Sequence, residues 1–166
     1  MMWPFKRKKQ ELPDVHIRSW NLMYFATDPD RNWNFASNFR KTGIPGSALT
    51  CETTFIMGSI VRGIIRERVN PSLVETCMAS AEKAYREAFK EESKVPLPEE
   101  MQEIYGPQKL SVIASDALRQ YAEDGDQLYS TVSRFISRIN GDPRMKSEVL
   151  PLFEERRKML IEAFGE

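Results

Sequence analysis

Histidine is nearly missing from this 166-residue chain, cysteine occurs twice, and 24 Lys plus Arg are cancelled by 24 Asp plus Glu. Each shortage excludes something. A single histidine, His16, removes every site built on two or more imidazoles: the paired Glu-x-x-His di-iron bundle, the His-Glu-x-x-His protease and tri-histidine zinc. Two cysteines with no C-x-x-C pair give neither a disulfide framework nor a zinc knuckle, and a reducing cytosol is the simplest home. A charge sum of zero argues against a surface that attracts nucleic acid or anionic membrane as a whole. The longest apolar run, residues 55–61, contains Gly58 and Ser59 and ends at Arg62, whereas a membrane-spanning helix needs roughly 20 apolar residues. After the basic start Lys6-Arg7-Lys8-Lys9 comes Gln10-Glu11-Leu12-Pro13-Asp14, where a signal peptide would need an apolar run of about ten residues. Glycine-rich phosphate loops and G-x-S-x-G are also missing. The expectation is a soluble, cytoplasmic chain with no cofactor, no metal and no assigned catalytic residue.

What is present is unevenly spread. Residues 1–45 carry eight basic side chains against four acidic ones, and they hold all three Trp and eight of the seventeen aromatics. So many aromatics are poorly accommodated in water, so this basic, aromatic segment is expected to lie on a second unit, residues 46–166.

Residues 46–166 read as helices with recognisable ends. Residues 47–69 follow Gly43-Ile44-Pro45-Gly46, with Ser47 as the N-cap. Their apolar positions (Leu49, Ile56, Met57, Ile60, Val61, Ile64, Ile65) fill about half the helical wheel, which predicts a central helix touching several neighbours. Residues 71–93 begin at Asn70-Pro71-Ser72, with Pro71 at the first helical position or Ser72 and Glu75 as a capping box. One lane of this helix is nearly all small (Leu73, Cys77, Ala81, Ala84, Ala88), and small residues let helix axes approach to about 8 Å. A turn at residue 70 pairs Ala81 with Ser59 and Cys77 with Gly63 in a tight antiparallel hairpin. Further helices are expected over 99–105, stopped by Gly106-Pro107, and over 108–123, 126–140 and 142–164, the last kinked at Pro151. Residues 14–25 fit both a helix and a strand paired with residues 32–35 across Asp28-Pro29-Asp30; alternatively Asp28-Pro29 starts a short helix that carries Phe35 and Phe39 and stops at Gly43, and helix is preferred for both stretches.

Several residue groups invite a chemical reading. In the hairpin register Cys51 and Cys77 are about 18 Å apart along the axis, which predicts two inert thiols and no disulfide. Asp28-Pro29-Asp30-Arg31-Asn32 has the oxygen spacing of an EF-hand start, but Trp33 and Phe39 stand where that loop needs Gly and a bidentate Glu. The plain alternative is a turn or helix cap. Glu123, Asp124 and Asp126 around Gly125 suggest a cation; the better reading is that Asp126 caps the next helix. The junction at Gly106-Pro107 is not helix-turn-helix, because the following helix offers Ser111, Ser115 and Asp116 in place of a basic face.

The fold expected is therefore all-α: an irregular bundle of about six helices with an aromatic-rich N-terminal segment packed on it. The function expected is a non-catalytic interaction or regulatory module that presents a helical surface to a partner protein or to its own copy as a homo-oligomer. Two alternatives stand. A small-molecule binder or enzyme would have its site between residues 47–69, 71–93 and the N-terminal segment, lined by Trp20, Tyr24, Trp33, Glu52 and Thr53. A peripheral membrane protein would use residues 1–9, with Trp3 and Phe5 in the interface and the four cations at the headgroups. Four charges at ~1 kcal/mol each plus the two aromatics give about 5–6 kcal/mol, marginal for one copy.

Overall fold

A proline or glycine stands at most of the breaks between helices, and the order of elements follows from them. The computed structural model describes residues 14–125 and 127–165, without the side chains of residues 40–42. Among the described residues it contains eight α-helices, four short 3₁₀ turns and no strand. The helices are α1 (Val15–Ala26), α2 (Pro29–Ala36), α3 (Gly46–Arg68), α4 (Val74–Ala88), α5 (Glu99–Tyr105), α6 (Leu110–Ala122), α7 (Leu128–Arg138) and α8 (Lys146–Phe164). The fold is all-α, and both ambiguous N-terminal stretches are helical.

Helix α3 is the axis of the molecule. It touches α1, α2 and α4 to α8, and Leu49, Phe55, Ile56, Val61, Ile64 and Ile65 are completely buried. By length and composition it is the one helix among the described residues able to cross a membrane, yet 72% of its apolar window is covered by the other helices. That covering is what a core helix of its wide apolar arc requires. It starts one residue before the expected cap: Pro45 precedes it, and the Ser47 hydroxyl lies in the first turn, 3.5 Å from Glu100.

Helix α4 meets α3 as an antiparallel hairpin, displaced by about one turn from the expected register. Arg62 faces Glu82 at 3.4 Å, and the Tyr85 ring lies against Gly58. A Cβ at position 58 would come within 2.5 Å of that ring, so the glycine is what admits it. The Tyr85 hydroxyl then donates to the Ala114 carbonyl at 2.7 Å, fastening α4 to α6. Helix α4 also has a partner that the hairpin alone did not suggest. The most extensive helix contact among the described residues is between α4 and α1, running in the same direction. The His16 carbonyl accepts from the Ser80 hydroxyl at 2.8 Å at one end, and Tyr24 and Thr27 line one cavity with Glu87 and Ala88 at the other. Cys77, Ala81 and Ala84 are buried, and α4 is wedged between α3 and α1. The helix ends at Ala88, five residues early, and a 3₁₀ turn at Glu92–Lys94 continues the path.

Capping fixes the entry to α2. Asp28 accepts from the Arg31 backbone at 3.0 Å with Pro29 at the first helical position, so the acidic stretch that resembled a calcium loop is a helix start. Asn70 caps the Pro71–Leu73 turn in the same manner, which selects the proline reading over the capping box. Gly106, at φ +84°, stops α5 as expected. Helix α8 is continuous through Pro151.

The N-terminal aromatics enter the core. Phe35 and Phe39 share a cluster with Phe135 and Phe153, with ring centroids 5.0–6.1 Å apart. Asn32, buried, donates to the Ala26 carbonyl and to Thr54, and Arg18 donates to the carbonyl of Phe164 at 3.0 Å. These contacts tie α1 and α2 to the central helix and to the far end of α8.

Candidate functional site

Among the described residues, Glu52 is the one formally charged side chain that is fully buried. It sits in the second turn of α3, a position apolar neighbours leave no room to solvate. An unpaired carboxylate there would be several kcal/mol unfavourable, so its partners decide whether the fold tolerates it. Three donors arrive from three other helices. Tyr105, the last residue of α5, donates to Oε1 at 2.6 Å. Tyr121 of α6 donates to Oε2 at 2.5 Å, and the Nε of Arg138, the last residue of α7, donates to the same oxygen at 2.6 Å.

The guanidinium of Arg138 is itself enclosed, its side chain only 10% exposed. Its carbon lies 5.8–5.9 Å from the ring centroids of Phe55, Tyr105 and Tyr121, within reach of their negative faces. Its Nη1 donates to Gln120 at 3.0 Å, and Gln120 donates onward to Asp116. Burial disfavours the Arg138 charge, but the Glu52 carboxylate and the adjacent tyrosines more than offset this and raise its pKa. Burial first, and the Glu52 charge second, push both Tyr105 and Tyr121 well above the ordinary phenol range, so they remain donors. Cys51, next in sequence, is pushed up to about 12 by burial and then by Glu52 and Glu92, so at neutral pH it is a thiol and not a nucleophilic thiolate. The arrangement holds a carboxylate with donors the fold itself supplies, and it fastens four helices at one point.

A second arrangement lies at the surface. Helix α1 has apolar residues on two faces. Leu22, Met23 and Ala26 are buried with Ser19 against the body. Ile17, Trp20 and Tyr24 form a stripe on the other side, with Ile17 43% and Tyr24 70% exposed. Trp20 and Tyr24 also line a cavity of about 470 Å³ between α1 and α4, together with Asp28, Pro29, Glu87 and Ala88. Asp28 faces Arg31 at 4.0 Å, while Glu87 has no ion-pair partner among the described residues.

The residues expected to share one pocket are therefore divided. Trp20 and Tyr24 line the outer cavity. Glu52 and Thr53 are buried on α3, the Thr53 hydroxyl without a hydrogen-bond partner among the described residues. Trp33 lies over Gly46 at the start of α3, whose Cβ position is 3.5 Å from its ring. Trp3 and Phe5 fall outside the described residues, as does the expected cap Asp126. Asp124 instead takes two hydrogen bonds from Arg134, with Glu123 3.7 Å from the same guanidinium, and both cysteines are free. Among the described residues no three His, Cys, Asp or Glu side chains gather as metal ligands do.

Sequence reasoning passed over Tyr105, Tyr121, Arg138 and Glu87. The available signal was small: Tyr121 occupies an apolar position of its helix, and Arg138 adjoins the apolar stripe of α7. Comparison with known proteins finds no matching family model, no matching curated protein and no matching solved structure.

Proposed function

We propose that this chain is a helical protein-interaction module that receives an extended partner segment, carrying both apolar and basic side chains, along α1. The observation that carries this reading is the exposed pair Ile17 and Tyr24, flanking the half-buried Trp20, beside a cavity with a free carboxylate, Glu87. Aromatic side chains are enriched at interface hot spots, and covering an Ile, Tyr or Trp contributes about 1.5–3 kcal/mol each when burial is complete. The aromatic faces and Glu87 together favour a cation at the cavity, through cation–π attraction and direct pairing. The reading assigns no reaction to the Glu52 cluster, whose oxygens serve the fold.

The test is fluorescence anisotropy with two labelled eight-residue peptides, one alternating Leu or Trp with Lys, the other with Glu replacing each Lys. The lysine peptide binds at least tenfold tighter, and Tyr24→Ala and Glu87→Lys each weaken it tenfold without lowering the melting temperature. Equal binding of both peptides, or binding indifferent to both substitutions, overturns the reading.

A small organic cation is the second reading, favoured by the cavity's size, which falls within the range of roughly 300–1,000 Å³ usual for ligand sites. Titration with tetramethylammonium, read by Trp fluorescence against a Trp20→Phe control, separates the two.

A further inference from the structure

We propose that the guanidinium groups of Arg31 and Arg156, where α2 meets α8, form a binding site for a phosphate group. The proposal does not rest on the docking of a partner along α1.

The site has an apolar floor and a cationic surface. In the floor, Phe35 of α2 and Phe153 of α8 are buried with ring centroids 5.0 Å apart. Arg31 comes four residues before Phe35 and Arg156 three residues after Phe153, so each cation shares a helix face with its phenylalanine. The Arg156 guanidinium lies over the Phe35 ring, 4.8 Å from its centroid, and that of Arg31 lies over the Phe25 ring at 4.1 Å. The rings orient both cations from beneath.

The fold supplies little to balance these charges. Arg156 is half-buried and has no ion-pair partner among the described residues, whereas the adjacent Arg157 pairs with Glu67 at 2.6 Å. On its own helix the positions three and four away are Leu152, Phe153, Met159 and Leu160, all apolar, and Glu154 and Glu155 lie off that face. Asp28 faces Arg31 at 4.0 Å, and the same carboxylate oxygen accepts from the Arg31 backbone at the start of α2. Arg31, Arg156 and Asp28 together leave a net positive charge. Burial first, and the charge of Arg31 second, hold the Arg156 guanidinium below its ordinary value, as expected of two cations that face one another.

A guanidinium presents a planar fork of donors that matches phosphate and carboxylate oxygens. A phosphate monoester carries a charge of about −1.5 to −2 at neutral pH and three acceptor oxygens, so one group can accept from both forks and relieve their repulsion. A carboxylate, with one charge and two oxygens, is used up by a single fork. The charge count therefore favours phosphate, and the partial burial of Arg156 strengthens the attraction by excluding screening water.

The experiment follows the Nε–Hε signals of Arg31 and Arg156 in ¹H–¹⁵N spectra of the full chain, assigned by their loss in R31Q and R156Q. Phenyl phosphate is titrated in at constant ionic strength, with inorganic phosphate, acetate and chloride run in parallel. Both signals are expected to move together and saturate at one midpoint, and each variant raises the midpoint read on the remaining signal by about tenfold. Arg156→Lys keeps the charge but loses the fork, and is expected to weaken binding by about threefold or more. A tighter midpoint for phenyl phosphate than for inorganic phosphate assigns the site to an ester, and equal midpoints assign it to the free ion; both uphold the proposal. A drift without saturation that chloride reproduces, or equal movement of the exposed Arg119 and Arg144, shows charge screening alone and overturns it. Acetate binding as tightly as phosphate overturns it too. Because Arg156 packs on Phe35, the exposed Arg31 provides the decisive variant: R31Q with an unchanged melting temperature and an unchanged midpoint removes the site.

Discussion

The ring of Tyr85 occupies the space where a side chain at position 58 would begin. A Cβ there would lie 2.5 Å and 2.7 Å from two ring carbons. The ring cannot retreat easily, because it is 1% exposed and its hydroxyl is fixed on the Ala114 carbonyl. Gly58→Ala would gain about 1 kcal/mol of helix propensity, while forcing a group into a filled core costs about 1–3 kcal/mol. The steric effect wins. Chemical denaturation is expected to show a net loss of about 1–2 kcal/mol; a stabilised variant would mean the ring moves freely.

Removing the charge of Glu52 strands Arg138 among three rings. Breaking one side of a buried pair costs about 3–5 kcal/mol, so Glu52→Gln is expected to be among the most damaging single substitutions in the chain. Arg138→Met leaves the carboxylate with two phenols and is also costly. The double variant E52M/R138M loses less than the two single losses added together, since no buried charge remains. A double-mutant cycle by urea unfolding checks this, and strict additivity would mean the two groups do not interact.

Alkaline pH should unfold the protein early. Tyr85, Tyr105 and Tyr121 are raised by burial first and the Glu52 charge second, and Cys51 is raised to about 12 by burial above all. In the unfolded chain these groups lose their protons near the ordinary values, about 8.5 for the thiol and 10 for the phenols. Above those values the unfolded state binds fewer protons than the folded one, so stability falls as pH rises. Each phenol removes roughly 1–2 kcal/mol per pH unit above 10, and the thiol acts over the window from about 9 to 12. Circular dichroism from pH 8 to 12 is expected to show a transition that moves upward in the Tyr85→Phe variant once its neutral-pH stability is matched.

Helix α4 carries small buried side chains where it packs between α3 and α1. Ala81 is completely buried in α4, and Ala81→Leu adds bulk where α4 is pressed between two neighbours. The expected cost is about 1–3 kcal/mol. Amide hydrogen exchange should speed up first in α1, because that helix is held mainly by α4, which the added bulk displaces. Uniform acceleration across all helices would show that α1 and the core open together.

How much of this was legible before folding differs from helix to helix. Residues 99–105 were bounded correctly because Pro98 and Gly106 are local signals: one fixes φ ahead of the helix and the other adopts φ +84° behind it. The long central helix was legible because its apolar arc is wide and uninterrupted. Helix α1 was ambiguous for a physical reason: it is apolar on two faces, one buried in the body and one turned outward, so no single period dominates its pattern. The small-residue lane announces close approach but not that α4 is flanked by two helices, α3 and α1.

Sequence by itself determined the helical class, most breaks between helices and the central place of α3, because these follow from side-chain period, from proline and glycine, and from how much of one helix must leave water. Only tertiary structure decided that Glu52 meets Arg138, 86 residues away, along with two phenols from two further helices. The same holds for the pairing of α4 with α1. An apolar pattern states that a surface must be covered and a buried carboxylate states that it needs donors. Which helix does the covering, and which donor arrives, is set by how the helices cross one another in the folded chain.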